Sequence, residues 1–158
     1  MKNMIKLPLN EIHVLENCCT IEEKCAHIYR HFSKLYPEQP DINDLWIKVA
    51  SEEDHHADLF RLAINNIKTG LNDLEISCKK LNHVLTNLDS IHCIVRTKQL
   101  TLPEAFEIAL HIEKSLAEFH IASIVKFADT DLSELFIRME KYDQGHLELL
   151  QNAVESLQ

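Results

Sequence analysis

Leu45-Trp-Ile-Lys-Val-Ala-Ser-Glu-Glu-Asp-His-His56 and Leu135-Phe-Ile-Arg-Met-Glu-Lys-Tyr-Asp-Gln-Gly-His146 are one segment written twice, 90 residues apart. Leu45, Trp46, Ile47, Lys48 and Val49 fall on Leu135, Phe136, Ile137, Arg138 and Met139. Without a gap, Glu53 then falls on Asp143, His56 on His146, Leu59 on Leu149 and Ala63 on Ala153. Upstream the register shifts by one: at an offset of 91, Ile21-Glu22 falls on Ile112-Glu113, Tyr29 on His120 and Phe32 on Ser123. Each half therefore reads as a helical hairpin with a lone acid on its first helix and an acid-x-x-His pair on its second.

Residues three to four or seven apart on a helix share a face, and each of these acids lies on an apolar face. Leu15, Cys18, Ala26, Tyr29 and Tyr36 surround Glu22, and Trp46, Val49, Ala57 and Phe60 surround Glu53. Phe106, Ala109, Leu116, Ala117 and Phe127 surround Glu113, and Phe136, Met139, Leu147 and Leu150 surround Asp143. All four carboxylates are expected to converge on the core.

Burying an ionised carboxylate without a partner costs several kcal/mol, and four would exceed the stability of an ordinary domain, about 5–15 kcal/mol. No lysine or arginine lies on these faces, so two divalent cations are the simplest compensation. His56 and His146, one turn beyond Glu53 and Asp143, each supply an imidazole nitrogen. The expected metal ligands are Glu22, Glu53, His56, Glu113, Asp143 and His146, the donor set of ferritin-like di-iron and di-manganese carboxylate bundles.

Glu52-x-x-His55 is a competing acid-x-x-His pair, turned by about 100°. The repeat decides against it, because it would set Glu52 on Tyr142 and His55 on Gly145. Glu52 and His55 are therefore expected to contribute little to metal binding, with His55 at the rim or behind a ligand. His13, His27, His31, His83, His92 and His111 show no comparable spacing. His120, one helical period after Glu113, is either near the site or a core histidine.

The helix boundaries follow from capping chemistry. Thr101-Leu-Pro-Glu104 is the clearest start, with Pro103 where a missing N–H costs nothing. Asp131-Leu-Ser-Glu134 opens the next helix, Asp41-Ile-Asn-Asp44 an earlier one that ends at Gly70, and Asn72-Asp-Leu-Glu75 another. Asn10 caps a first helix closed by Pro37 and Pro40; Thr20-Ile-Glu-Glu23 also has capping-box form, but one continuous helix is expected. The result is four long helices, about 11–36, 42–69, 102–128 and 132–157, with a fifth at about 73–98. Two hairpins joined by one long connection make an all-α four-helix bundle with a helical crossover between helices two and three.

The 158 residues fit a single domain spanning 1–158, and only two glycines and four prolines punctuate them. A net charge of −9 without a basic stripe argues against nucleic acid. No stretch approaches the roughly 18 apolar residues of a membrane span, and the N-terminal segment lacks a signal-peptide core, so the expected location is the cytoplasm. Five cysteines without a C-x-x-C pair encode neither a disulfide framework nor a zinc or rubredoxin-type site.

Over nearly its whole length the chain resembles the rubrerythrin family of the ferritin-like superfamily. The resemblance is carried by Glu22-Glu-Lys-Cys-Ala-His-Ile-Tyr29-Arg-His-Phe32, Ser51-Glu-Glu-Asp-His-His-Ala-Asp-Leu-Phe60, Ile112-Glu113-Lys-Ser, and Asp143-Gln-Gly-His146. It implies a di-iron centre on the six ligands that reduces hydrogen peroxide or oxygen in defence against oxidative stress. Iron or manganese would suit the ligands. The chain departs from the family in three ways. Without C-x-x-C pairs no rubredoxin-like domain is expected in this sequence, and electrons are expected to come from a separate donor. Asp143 stands in place of a glutamate, with Glu140 one turn earlier. Leu116 stands one turn after Glu113, where rubrerythrins carry an extra carboxylate, and Cys25 occupies the corresponding turn after Glu22. The resemblance also implies a homodimer. Tyr29, one helical period from Glu22, either hydrogen-bonds a carboxylate of the site or is an amphipathic core tyrosine. Two rival readings are a ferritin-like protein that binds or oxidises iron without peroxide turnover, and a metal-free interaction bundle.

Overall fold

The computed structural model describes residues 9–66, 78–122 and 130–157, all but a few of them helical. Five helices occur among the described residues: α1 (Leu9–Phe32), α2 (Pro40–Asn66), α3 (Cys78–Thr97), α4 (Leu102–Ala122) and α5 (Thr130–Ser156). α1 packs along α2 and α4 along α5 as two hairpins. α3 lies mainly on α1, so the long connection is itself a helix laid on the outside of the bundle. This is the expected ferritin-like four-helix bundle with a helical crossover.

The first helix is continuous through Thr20, whose hydroxyl donates to the Glu16 carbonyl at 3.0 Å instead of capping a new start. It ends at Phe32, short of the expected Tyr36, and tightens into turns in which Lys34 N–H bonds the His31 carbonyl and Leu35 N–H that of Phe32. Pro37 is consistent with the early end, because in a continued helix it would offer no N–H to the Ser33 carbonyl and its ring would clash there. Pro40 does not close α1. It is the first residue of α2, where its missing N–H is harmless, and the Gln39 carbonyl accepts from both Ile42 and Asn43. At α4 Glu104 reaches back as expected of a capping box, accepting from Thr101 N–H, while the Thr101 hydroxyl donates to the same carboxylate, both at 2.8 Å. α5 begins at Thr130, with Asp131 inside its first turn. The expected stop at Gly70, the start at Asn72–Glu75 and the end of α4 near 128 lie outside the described residues.

α3 presents Leu81, Leu88 and Val95, seven residues apart and all buried, toward the bundle. Lys24 of α1 pairs with Asp89, and the His27 and His92 rings meet edge to face at 5.3 Å, which holds α3 against α1. On the outer side of the first hairpin, Arg30 pairs with Asp54 and Arg61 with Glu23, fixing the register of α1 against α2. At one end of the core Tyr29, Phe32, Trp46 and Phe106 interlock, with the Trp46 ring 4.8 Å from Phe106 and 5.0 Å from Phe32. Tyr36, half-buried, donates from its hydroxyl to the Leu100 carbonyl at 3.1 Å and ties the α1–α2 turn to the start of α4. No described helix is long and apolar enough to cross a membrane.

Candidate metal centre

Among the described residues the buried polar or charged side chains are Glu22, Glu53, His56, Glu113, Asp143 and His146, at most 5% exposed. No buried lysine or arginine accompanies them. They come from four helices, and helical phase puts them in one place. Leu15, Cys18, Ala26 and Tyr29 on α1 are buried with Glu22, and Trp46, Val49, Ala57 and Phe60 on α2 with Glu53. Phe106, Ala109, Leu116 and Ala117 on α4 are buried with Glu113, and Met139 and Leu150 on α5 with Asp143. Leu147 is only half-buried. The side chains of His120 and Phe136, and all of Phe127, lie outside the described residues.

The donors form two overlapping triads, Glu22–Glu53–His56 and Glu53–Glu113–His146, each with its ligand atoms within 4.8 Å of one another. Glu53 belongs to both. Its Oε2 lies 3.3 Å from His56 Nδ1 and its Oε1 lies 3.2 Å from His146 Nδ1. Glu22 Oε2 and Asp143 Oδ1 approach His56 Nδ1 at 3.9 and 3.7 Å, and Glu113 Oε2 approaches His146 Nδ1 at 3.7 Å. Both imidazoles thus turn Nδ1 inward. Asp143 is buried in the cluster while Glu140, one turn away, is only half-buried.

Hydrogen bonding and charge describe the same centre. Glu53 Oε1, Glu113 Oε2 and His146 Nδ1 are buried without a hydrogen bond. Such atoms are rare in a protein interior, and three in one cluster fit a cation placed between them. Burial alone would lower the histidines' affinity for protons, but the facing carboxylates outweigh it: Glu113 and Glu53 push His146 up to about 11, and Glu53, Glu22 and Asp143 raise His56. Glu113 is raised by burial and by the charge of Glu53. Burial would raise Glu53 too, but the facing imidazoles of His146 and His56 hold it well below the usual carboxylate range.

Tyr29 hydrogen-bonds a carboxylate of the site, donating from its hydroxyl to Glu113 Oε1 at 2.5 Å. The other oxygen, Oε2, is left facing His146. Cys25 sits among the carboxylates fully buried, and burial together with the charge of Glu53 pushes its thiol well up, so it stays protonated. Cys18, Cys19, Cys25 and Cys93 are all free thiols. Leu116 is buried one turn after Glu113 and brings no oxygen to the centre.

The off-register pair divides. His55 is exposed, but half-buried Glu52 reaches across from α2, and its Oε2 contacts His146 Nε2. The sequence reading gave Glu52 no part at the site and did not foresee this contact. The signal lay in the 100° step from Glu53, which turns residue 52 toward the neighbouring α5, but the repeat comparison sets Glu52 on Tyr142 and so conceals it.

The rubrerythrin family model matches residues 13–155, a span that contains all six site residues. The chain belongs to the rubrerythrin family. Searches of curated proteins and of solved structures found no match. For a rubrerythrin-family chain, four buried carboxylates and two inward-facing imidazoles form a donor set that could hold two metal ions.

Proposed function

We propose that the chain holds two iron ions on Glu22, Glu53, His56, Glu113, Asp143 and His146 and reduces hydrogen peroxide with electrons from a separate donor. The observation that carries this reading is Glu53, whose two carboxylate oxygens each face a different histidine and so join the two triads. Two ferrous ions bound there would supply the two electrons that, with two protons from solvent, reduce one hydrogen peroxide to two waters. The chain's own part is positional. Glu53 sets the two sites side by side, and Tyr29 fixes the orientation of Glu113. The rings of Tyr29, Phe32, Trp46 and Phe106 exclude water from one end. Work in the cytosol as a homodimer belongs to the same reading.

The test is multiple-turnover peroxide consumption by iron-loaded protein with a reduced mediator. Many peroxides per iron pair support the enzyme. One stoichiometric oxidation of the iron and nothing further would establish the second reading, a ferritin-like iron-binding protein. Leu116 favours that alternative, since it stands apolar and buried where the family's extra carboxylate would be.

Asp143 allows a finer prediction. Its shortened side chain lies on the His56 side, so the ion beside His146 should be held less tightly than the ion beside His56. Anaerobic Fe(II) titration should resolve two affinities, and Asp143→Glu should bring them together and raise any peroxide turnover. Equal affinities in the wild type, unmoved by Asp143→Glu but changed by Glu140→Ala, would transfer the ligand role to Glu140.

A further inference from the structure

The two histidines differ in what stands behind them. His146 turns Nδ1 toward Glu53 and Glu113 and presents Nε2 to the Glu52 carboxylate, 94 residues away in sequence on α2. His56 makes its carboxylate contacts through Nδ1. The position equivalent to Glu52 on α5 is Tyr142, an exposed side chain whose ring centroid is 6.5 Å from that of His56. The doubled segment has therefore kept the ligands paired and made their supports unequal.

We propose that Glu52 is a positioning residue for one of the two metal sites: it accepts the Nε2–H of His146, and so keeps that proton on the outer nitrogen and Nδ1 free to bind the ion shared with Glu53 and Glu113. A neutral imidazole carries one N–H and one lone pair, and the hydrogen bond made by one nitrogen decides which of them the other offers. A carboxylate there also fixes the ring's rotation and makes Nδ1 a stronger donor; loss of such a partner commonly costs about 10–100-fold in metal affinity. Here the lower end is expected. Glu52 and His146 both line a surface groove with Lys48, Tyr142 and Gly145, so water can take the place of a removed carboxylate. His146 is also the ligand of the site that Asp143 serves less well, which makes its support the more consequential of the two.

The inference rests on the dimetal reading, and stepwise Co(II) titration, followed by visible absorption, tests the two separately. Wild-type protein should take up two ions, and His146→Ala identifies the step that belongs to that ligand. Glu52→Ala should weaken that same step about 10-fold and leave the other within a factor of about two, with Glu52→Gln in between, because an amide oxygen accepts the proton without the charge. In the Co(II) protein's proton spectrum the His146 Nε2–H should exchange with solvent far faster in Glu52→Ala, while the His56 resonance stays as it was. Equal weakening of both steps in Glu52→Ala and Glu52→Gln would mean a general structural role and overturn the inference, as would no change in either. Wild-type protein that takes up no Co(II) would overturn the dimetal reading and this inference together.

Discussion

Glu53→Ala should leave the protein with no bound metal, whereas Glu22→Ala and Glu113→Ala should each leave one ion. The difference lies in geometry. Glu53 is the member common to both triads, with Oε1 at 3.2 Å from His146 Nδ1 and Oε2 at 3.3 Å from His56 Nδ1. Glu22 approaches His56 at 3.9 Å and belongs to that triad, and Glu113 approaches His146 at 3.7 Å and belongs to the other. Removing Glu53 takes one oxygen from each site and also the negative charge that lets two cations sit side by side, so losses of several kcal/mol per ion are expected. Elemental analysis of protein purified without chelator gives the answer directly. Two ions per chain in Glu53→Ala would sink the assignment, and helical circular dichroism of the same sample separates loss of metal from loss of fold. His56→Ala should behave like Glu22→Ala, and His55→Ala like wild type, since His55 is exposed.

The centre was legible because helical phase and duplication are both properties of the sequence. Six polar residues on apolar faces, matched in two halves, have no other place to meet than the middle of the bundle, and there they lie. Tyr29 was half legible: its phase put it near Glu22, but its hydroxyl reaches Glu113 on α4, a partner that depends on how the two hairpins dock. The contact between Glu52 and His146 was not legible for the same reason. It depends on the neighbour across the α2–α5 seam, and comparing one half with the other cannot supply that. Pro40 shows a local failure of a different kind. A proline ends one helix or begins the next with equal chemical ease, and the choice was made by where the chain had already turned at Pro37. The seat of α3 on α1 was beyond reading as well, because its Leu81–Leu88–Val95 stripe announces an apolar face without naming what covers it.

Removing the metal should lower the melting temperature by on the order of 10 °C, and by more at pH 8 than at pH 6. At free metal about a hundredfold above Kd, each site adds about 2.7 kcal/mol to the folded state, and in a chain of this size each kcal/mol moves the midpoint by about 2–4 °C. The pH dependence comes from competition between protons and metal for the same atoms. Without metal, His146 is pushed up to about 11 and His56 is raised, so the histidines carry protons among the carboxylates. Groups raised on folding stabilise fully below their unfolded value, 6.5 for histidine, and that stability is lost as pH climbs through the folded value. The metal-free protein should thus weaken steadily above about pH 6.5. Glu113, also raised, adds to the same trend from 4.5 upward. Glu53 runs the other way, since its lowered value contributes stability above 4.5 that is lost in strong acid. His146, His56 and Glu113 therefore carry the trend toward greater stability on acidification, and Glu53 opposes it at the acid end. The metal-bound form needs deprotonated ligands and gains as pH rises, so the gap between the two forms widens with pH. Melting curves with and without chelator at several pH values between 5.5 and 8.5 provide the check. A gap that stays constant with pH would mean that the histidines are not ligands, and no gap at any pH would support a metal-free interaction bundle in place of a metal centre.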